Sequence, residues 1–262
     1  PAYYGNLVEM SSWNEALWGS REILRMIRDA GVRRAAEDKT LASLRARTDL
    51  AARVEEARIL ARRGRPGQAE ALLEKGLAAA SDDATSARVE ARVLLADLEA
   101  RQGRTRKTAA VLQRLVADHP TDARAEAWAL EAANLALADE ATREPALASL
   151  ARLAKHASDA GVRARSRLAL GRSAAERGEA DALTRHLALL QSEVPLEGPC
   201  PPHWTSAMLY QLVQLIQGAA ETHAERAAAY AALVARCHPD SVEAQLVKHG
   251  MLDTMMFARD VR

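Results

Sequence analysis

The side chains best equipped for chemistry are two cysteines and two histidines. Cys200 and His203 precede one helical segment, and Cys237 and His238 follow the next. If the two segments form an antiparallel hairpin, both pairs lie at the same end of it. Three outcomes compete there. A disulfide needs Cα atoms about 4.4 to 6.8 Å apart, a Cys2His2 zinc site needs four convergent ligands, and otherwise two thiols stay free. Neighbours such as Cys237 and His238 seldom both reach one ion, which counts against zinc. The expectation is proximity without a bond: Cα atoms within about 10 Å, both sulfurs reduced and no metal, because a reducing cytoplasm keeps such pairs open.

The other histidines, His119, His156, His186, His223 and His249, sit mostly at helix ends, where imidazoles cap carbonyls and meet the helix dipole. The chain has no nucleophile elbow, no phosphate-cradling glycine loop, no HExxH and no paired Cys-x-x-Cys. It reads as non-catalytic, without cofactor or metal.

Basic clusters are the second candidate chemistry. Arg33-Arg34, Arg62-Arg63-Gly-Arg65 and Arg101-Gln-Gly-Arg104-Thr-Arg106-Lys107 fall mostly where helices turn. Aligned on one edge they would suit a polyanion. Yet aromatics for base stacking make up only 3% of the chain, and 36 basic residues face 35 acidic ones for a net charge of +1. A nucleic-acid or regulator-associated domain is therefore the alternative reading, and solvated turns the preferred one.

The elements that position these groups are helices. Of 262 residues 58 are Ala, Arg outnumbers Lys 31 to 5, and β-branched residues are scarce, so strands are disfavoured throughout. No apolar run approaches the roughly 18 residues that span a bilayer. The longest, Met208 to Ile216, is broken by Gln211 and Gln214, and the segment Pro1 to Asn14 lacks the basic head and apolar centre of a signal peptide. A cytoplasmic protein without membrane contact is expected.

Repeats organise the chain. Ala57, Gly64, Ala69 and Leu73 mark one unit; Ala96, Gly103, Ala109, Leu112 and Pro120 a second; Gly171, Gly178, Leu183, Leu187 and Pro195 another. Gly64 to Gly103 is 39 residues, while Gly103 to Gly178 and Pro120 to Pro195 are both 75, so a degenerate unit belongs between them, over Asp122 to Asp159. Each unit reads as helix, glycine turn, helix and stop. Small residues let two helices approach, Leu fills the seam, and glycine supplies the left-handed cap. One hairpin cannot bury its apolar face alone, whereas stacked hairpins bury a continuous core.

With these markers the chain resembles the tetratricopeptide repeat family in its degenerate bacterial form, over about residues 50–195. Its period is longer than the family's, and Leu or Ala stands at most of the family's aromatic positions. The resemblance implies an all-α solenoid of stacked antiparallel hairpins whose first helices line a concave groove for a peptide or protein. Counted from Ala57, Ala96 and Gly171, the groove positions are Arg58, Arg62, Glu90, Asp97, Arg101, Arg165, Arg172 and Glu176. Five are arginines, which fork onto carboxylates, so the implied partner is an acidic peptide or surface met by a scaffold or sensor arm. The family's Lys–Asn clamp is not reproduced; Asn134 stands alone.

The flanks read as helical but off-pattern. Residues 1–48 form an N-terminal extension, in which Ser12 to Glu15 is a capping box for a helix carrying Trp13 and Trp18. These tryptophans are the second candidate binding surface. Gly31 should end that helix, and a shorter one follows near Arg34 to Arg47. Residues 49–195 hold the repeats. Residues 196–262 hold a Pro-rich loop, a hairpin over Trp204 to Gln217 and Thr222 to Arg236, and a last helix capped at Asp240-Ser241 and reaching Phe257, with Met251, Leu252, Met255 and Met256.

Overall fold

The structure is a computed structural model that describes residues 31–32, 34–80, 85–219 and 224–249. Helix accounts for 80% of them, and no strand occurs among them. The chain divides into two compact units, Pro1–Leu98 and Glu99–Arg262.

Unit 1 contains α1 (34–45), α2 (Leu50–Arg62), α3 (Pro66–Ala79) and the start of α4 (Thr85–Arg101), inside which the division falls. Helix α2 begins where the Asp49 carboxylate accepts the Ala52 N–H at 3.0 Å, satisfying one orphan donor of the first turn. Helices α2 and α3 then pair. Gly76 marks their closest approach: a Cβ built there would stand 2.8 Å from Leu50 Cδ1 and 3.1 Å from Arg53 Cδ. Ala57 and Ala69, both fully buried, complete the small-residue seam.

Unit 2 continues with α5 (Thr105–Asp118), α6 (Ala125–Ala136), α7 (Glu140–His156), α8 (Ala160–Glu176), α9 (Ala180–Glu193), α10 (Ser206–Ala219), α11 (Ala224–Cys237) and α12 (Val242–Lys248). Each helix from α5 packs on the next, as stacked hairpins require. The two resulting rows differ. Backbones of α6, α8, α10 and α12 approach one another, whereas those of α5, α7, α9 and α11 approach only the first row. At Gly171 of α8 a Cβ would stand 3.4 Å from Leu215 of α10 and 3.6 Å from His186 of α9, so a methyl group fits there and a larger side chain must displace one of them.

The turns follow the expected chemistry. Gly64, Gly103 and Gly178 all adopt positive φ, at 71°, 71° and 70°. After each, an N–H donates back five residues, Arg65 to Leu60, Arg104 to Glu99 and Glu179 to Ala174, at 2.9 to 3.0 Å. That bond is the six-to-one closure of a glycine helix cap. The degenerate unit does without glycine. Between α6 and α7 the Thr142 hydroxyl donates to the Ala136 carbonyl at 2.8 Å, and the Asp139 carboxylate accepts the Ala141 N–H at 3.2 Å.

Two boundaries differ from expectation. Gly31 and Val32 are helical, so no glycine cap closes at Gly31, and the helix it should end lies outside the described residues. Its lack of a side chain permits a cap without requiring one, and φ > 0 was never dictated there. Helix α12 stops at Lys248, because the backbone turns at His249, whose N–H donates to the Gln245 and Val247 carbonyls. Its start is as read: the Ser241 hydroxyl accepts the Ala244 N–H at 3.1 Å. The capping box at Ser12, Thr222, and the methionines from Met251 onward lie outside the described residues.

Candidate functional site

The groove positions fall on the helices that should carry them, in separate sets for each unit. In unit 1, Arg58 of α2 reaches Glu90 of α4 at 3.2 Å and also pairs with Glu55 on its own helix. Arg62 meets Glu37 of α1 at 3.3 Å. Arg63, one residue on, takes Glu37 at 2.9 Å and Asp38 at 2.7 Å, and these guanidiniums hold the Glu37 carboxyl below the usual range against the opposing effect of burial. Asp97 is exposed on α4. Arg58 and Arg62 are thus met by carboxylates of their own chain.

In unit 2, Arg101 is exposed at the end of α4. On α8, Arg165 donates from Nε to the Gly161 carbonyl of its own helix at 3.2 Å and has no carboxylate partner among the described residues. Arg172 and Glu176 stand one turn apart, 4.0 Å between charged atoms and largely solvated. Pairs of this kind contribute little, on the order of 0.3–0.5 kcal/mol, so the Arg172 fork stays available. Trp13 and Trp18 lie outside the described residues.

The basic turn edge is mostly occupied. Arg104 pairs with the buried Glu99, Arg106 with Asp139 at 2.8 Å, and Arg177 with Glu144 and Glu179 at 3.5 and 2.9 Å. A polyanion at these turns would have to displace these carboxylates.

Sequence reasoning missed a second use of arginine. Arg163 donates to the Ala157 and Ser158 carbonyls at the end of α7, at 2.6 and 2.9 Å, and Arg167 to Ala154 at 3.0 Å. Arg143 does the same for Leu137 after α6, at 3.2 Å. Each guanidinium covers orphan carbonyls of the preceding helix. The excess of Arg over Lys is the signal that could have shown it, since a guanidinium carries several fixed N–H donors that suit carbonyls. Glu126 was missed too. From α6 its carboxylate accepts the Ser158 and Asp159 N–H groups at 2.7 and 3.1 Å, so it ties the residues that lead into α8, whose N-cap is Asp159, to the neighbouring hairpin. Those two N–H bonds are the main reason its pKa is lowered.

At the last hairpin the proximity of Cys200 and Cys237 holds, and the expectation of free thiols does not. Their sulfurs are bonded, with Cα atoms 5.6 Å apart. Hairpin geometry brought them within bonding reach, while only the assumed compartment argued for thiols, and proximity decided. His203 stays on the exposed loop, and His238 turns its Nε2 to the Trp204 carbonyl at 3.1 Å. Among the described residues no group of three or more His, Cys, Asp or Glu is arranged to hold a metal ion. His186 lies against Gly171, and burial, then Arg185 and Arg167, lowers its pKa. No described helix is long and apolar enough to cross a membrane.

No protein-family profile and no curated protein matches the chain. Among solved structures it is similar to YrrB, described as a TPR protein with an unusual peptide-binding site, at 14% identity and a TM-score of 0.43 over 77% of this chain and 93% of that one. The TPR-like, all-α architecture described above rests on this chain's own turns and helix rows.

Proposed function

We infer that the chain is a non-catalytic protein–protein interaction module, a scaffold or sensor arm, that takes an acidic peptide or protein surface along the closer-packed helix row of unit 2. One observation carries this reading. Arg165 and Arg172 stand two turns apart on α8, in the row of helices whose backbones approach one another, one without a carboxylate partner among the described residues and the other with only a weak one. The guanidinium fork selects carboxylates by geometry as well as charge. Arg58 and Arg62, which Glu37, Glu55 and Glu90 already meet, are secondary in this reading. The disulfide favours an oxidising compartment over the cytoplasm that the sequence suggests.

The test is fluorescence anisotropy of the full chain with a labelled Asp/Glu-rich peptide and its Asn/Gln counterpart, at low and physiological salt. The acidic peptide should bind and the amide peptide should not. The Arg165→Ala, Arg172→Ala double variant should weaken binding at least tenfold with an unchanged circular dichroism spectrum. Equal binding of both peptides, or an indifferent double variant, refutes the site. Stronger binding of a single-stranded oligonucleotide would select the nucleic-acid alternative.

A further inference from the structure

The connection between α9 and α10 is far longer than the other interhelical turns, and its ties to α11 are of two kinds. Its ends are held by buried, non-covalent contacts. The Tyr230 hydroxyl donates to the Val194 carbonyl at 3.0 Å, and Val194 is 0% exposed. At the other end Trp204 is 2% exposed, and its carbonyl meets His238. The middle is different. Residues 195–200 are all exposed, and what holds them is the Arg236 guanidinium, donating to the Leu196 and Gly198 carbonyls at 3.2 Å each, together with the Cys200–Cys237 bond. Cys200 is itself exposed, while Cys237 is half-buried against the core of the last hairpin. The only covalent tie therefore secures the part of the loop that the hairpin does not need.

We propose that Cys200–Cys237 is a redox-cleavable clasp, which fixes loop 195–203 against the end of α11 when oxidised and releases it when reduced, with the hairpin folded in both states. A dithiol reductant balances the reaction. Its first thiolate attacks the exposed Cys200 sulfur, the S–S bond breaks, and Cys237 leaves as a thiolate that takes a proton from water. The second thiol of the reductant, deprotonated, attacks the mixed disulfide and displaces the Cys200 thiolate, which is protonated in turn. The reductant ends as a cyclic disulfide and the protein gains two thiols. Attack at Cys200 is favoured because access, like thiolate character, governs exchange. The loop ends stay anchored by Tyr230 and Trp204, so the released segment is bounded.

The experiment compares the full chain before and after dithiothreitol. Thiol titration of the denatured protein should count none before and two after. Backbone order parameters at Leu196, Gly198 and Cys200 should fall from about 0.85, typical of rigid backbone, to below about 0.6, while the amides of α10, and those of α11 away from Cys237 and its neighbour Arg236, keep their chemical shifts. A glutamate-specific protease should cut after Glu197 only in the reduced chain. The Cys200→Ser, Cys237→Ser double variant should behave as the reduced chain without any reductant, and Arg236→Ala should leave the oxidised loop rigid. Two thiols at the outset overturn the proposal. Unchanged order parameters on reduction overturn it too, as do shifts spreading through α10 and α11, which would mark a structural staple. Release of the oxidised loop by Arg236→Ala alone would transfer the role to arginine.

Discussion

The three glycine turns and the loop between α9 and α10 solve one problem, reversing the chain between helices, by opposite means. Each glycine turn closes on its own backbone. The same φ and the same five-residue return bond recur at Gly64, Gly103 and Gly178, and nothing lies within 4 Å of where a Cβ would stand. The long loop has no such local code. Its path is set by Tyr230, Arg236, Cys237 and His238, which are 34 to 40 residues away from their loop partners in sequence. Local closure repeats wherever its sequence repeats, whereas long-range closure is particular to its place and exposed to chemistry acting on one bond.

The contrast is most easily broken at the bond. Replacing both cysteines by serine should lower global stability by about 3 to 4 kcal/mol, the chain-entropy value for a loop of this length, with native-state strain able to reduce it. Denaturant midpoints with and without reductant should differ for the parent chain and coincide for the variant. That loss concerns unfolding of the whole unit and is compatible with a loop that opens locally. Next is the packing behind the turns. Gly171→Leu must displace Leu215 or His186, and overpacking of this kind costs about 1 to 3 kcal/mol. A melting temperature equal to the parent's would refute the register of α8 against α9 and α10.

The turns themselves give a finer test. Gly64→Ala, Gly103→Ala and Gly178→Ala meet no neighbour, so each should carry only the left-handed backbone penalty, about 1 to 2 kcal/mol, and the three should agree within a few tenths of a kcal/mol. A variant standing apart would show that its turn is held by more than backbone geometry. In the loop, Gly198→Ala at φ 102° is the control: its strain should ease when reduction releases the middle of the loop, while the ends stay anchored.

The smallest effect is electrostatic. Folding lowers the pKa of Glu126, chiefly through the Ser158 and Asp159 N–H bonds, and that of Asp122 to about 2, chiefly through the Arg124 side chain. A depressed folded pKa contributes stability that is present above the unfolded value and lost as pH falls through the folded one. Stability should therefore decline below the ordinary values of 4.5 and 3.8 and continue falling towards about 2. Glu126→Gln should flatten the upper part of that decline, measured by denaturation between pH 5 and 3. A decline of unchanged shape would remove Glu126 as the tie that holds the entry to α8.

The sequence alone determined whatever is enforced within a few residues. Helix content, the glycine caps, the 39-residue and 75-residue spacings and the stops at Pro120 and Pro195 follow from propensity, handedness and periodicity, which need no partner. It also indicated which helix would carry Arg58, Arg165 and Arg172. It did not reveal that Glu37 and Glu90 answer the first set while Arg165 has no such partner, because ion pairing depends on which helix lies alongside. Gly76, Glu126, Arg163 and Arg167 were illegible for the same reason: each acts on a backbone or side chain of a neighbouring helix. At Cys200 and Cys237 the two kinds of information met. Hairpin periodicity placed the sulfurs together, and only the tertiary path of the loop, fixed by Tyr230, Arg236 and His238, brought their Cα atoms to 5.6 Å, where a bond forms.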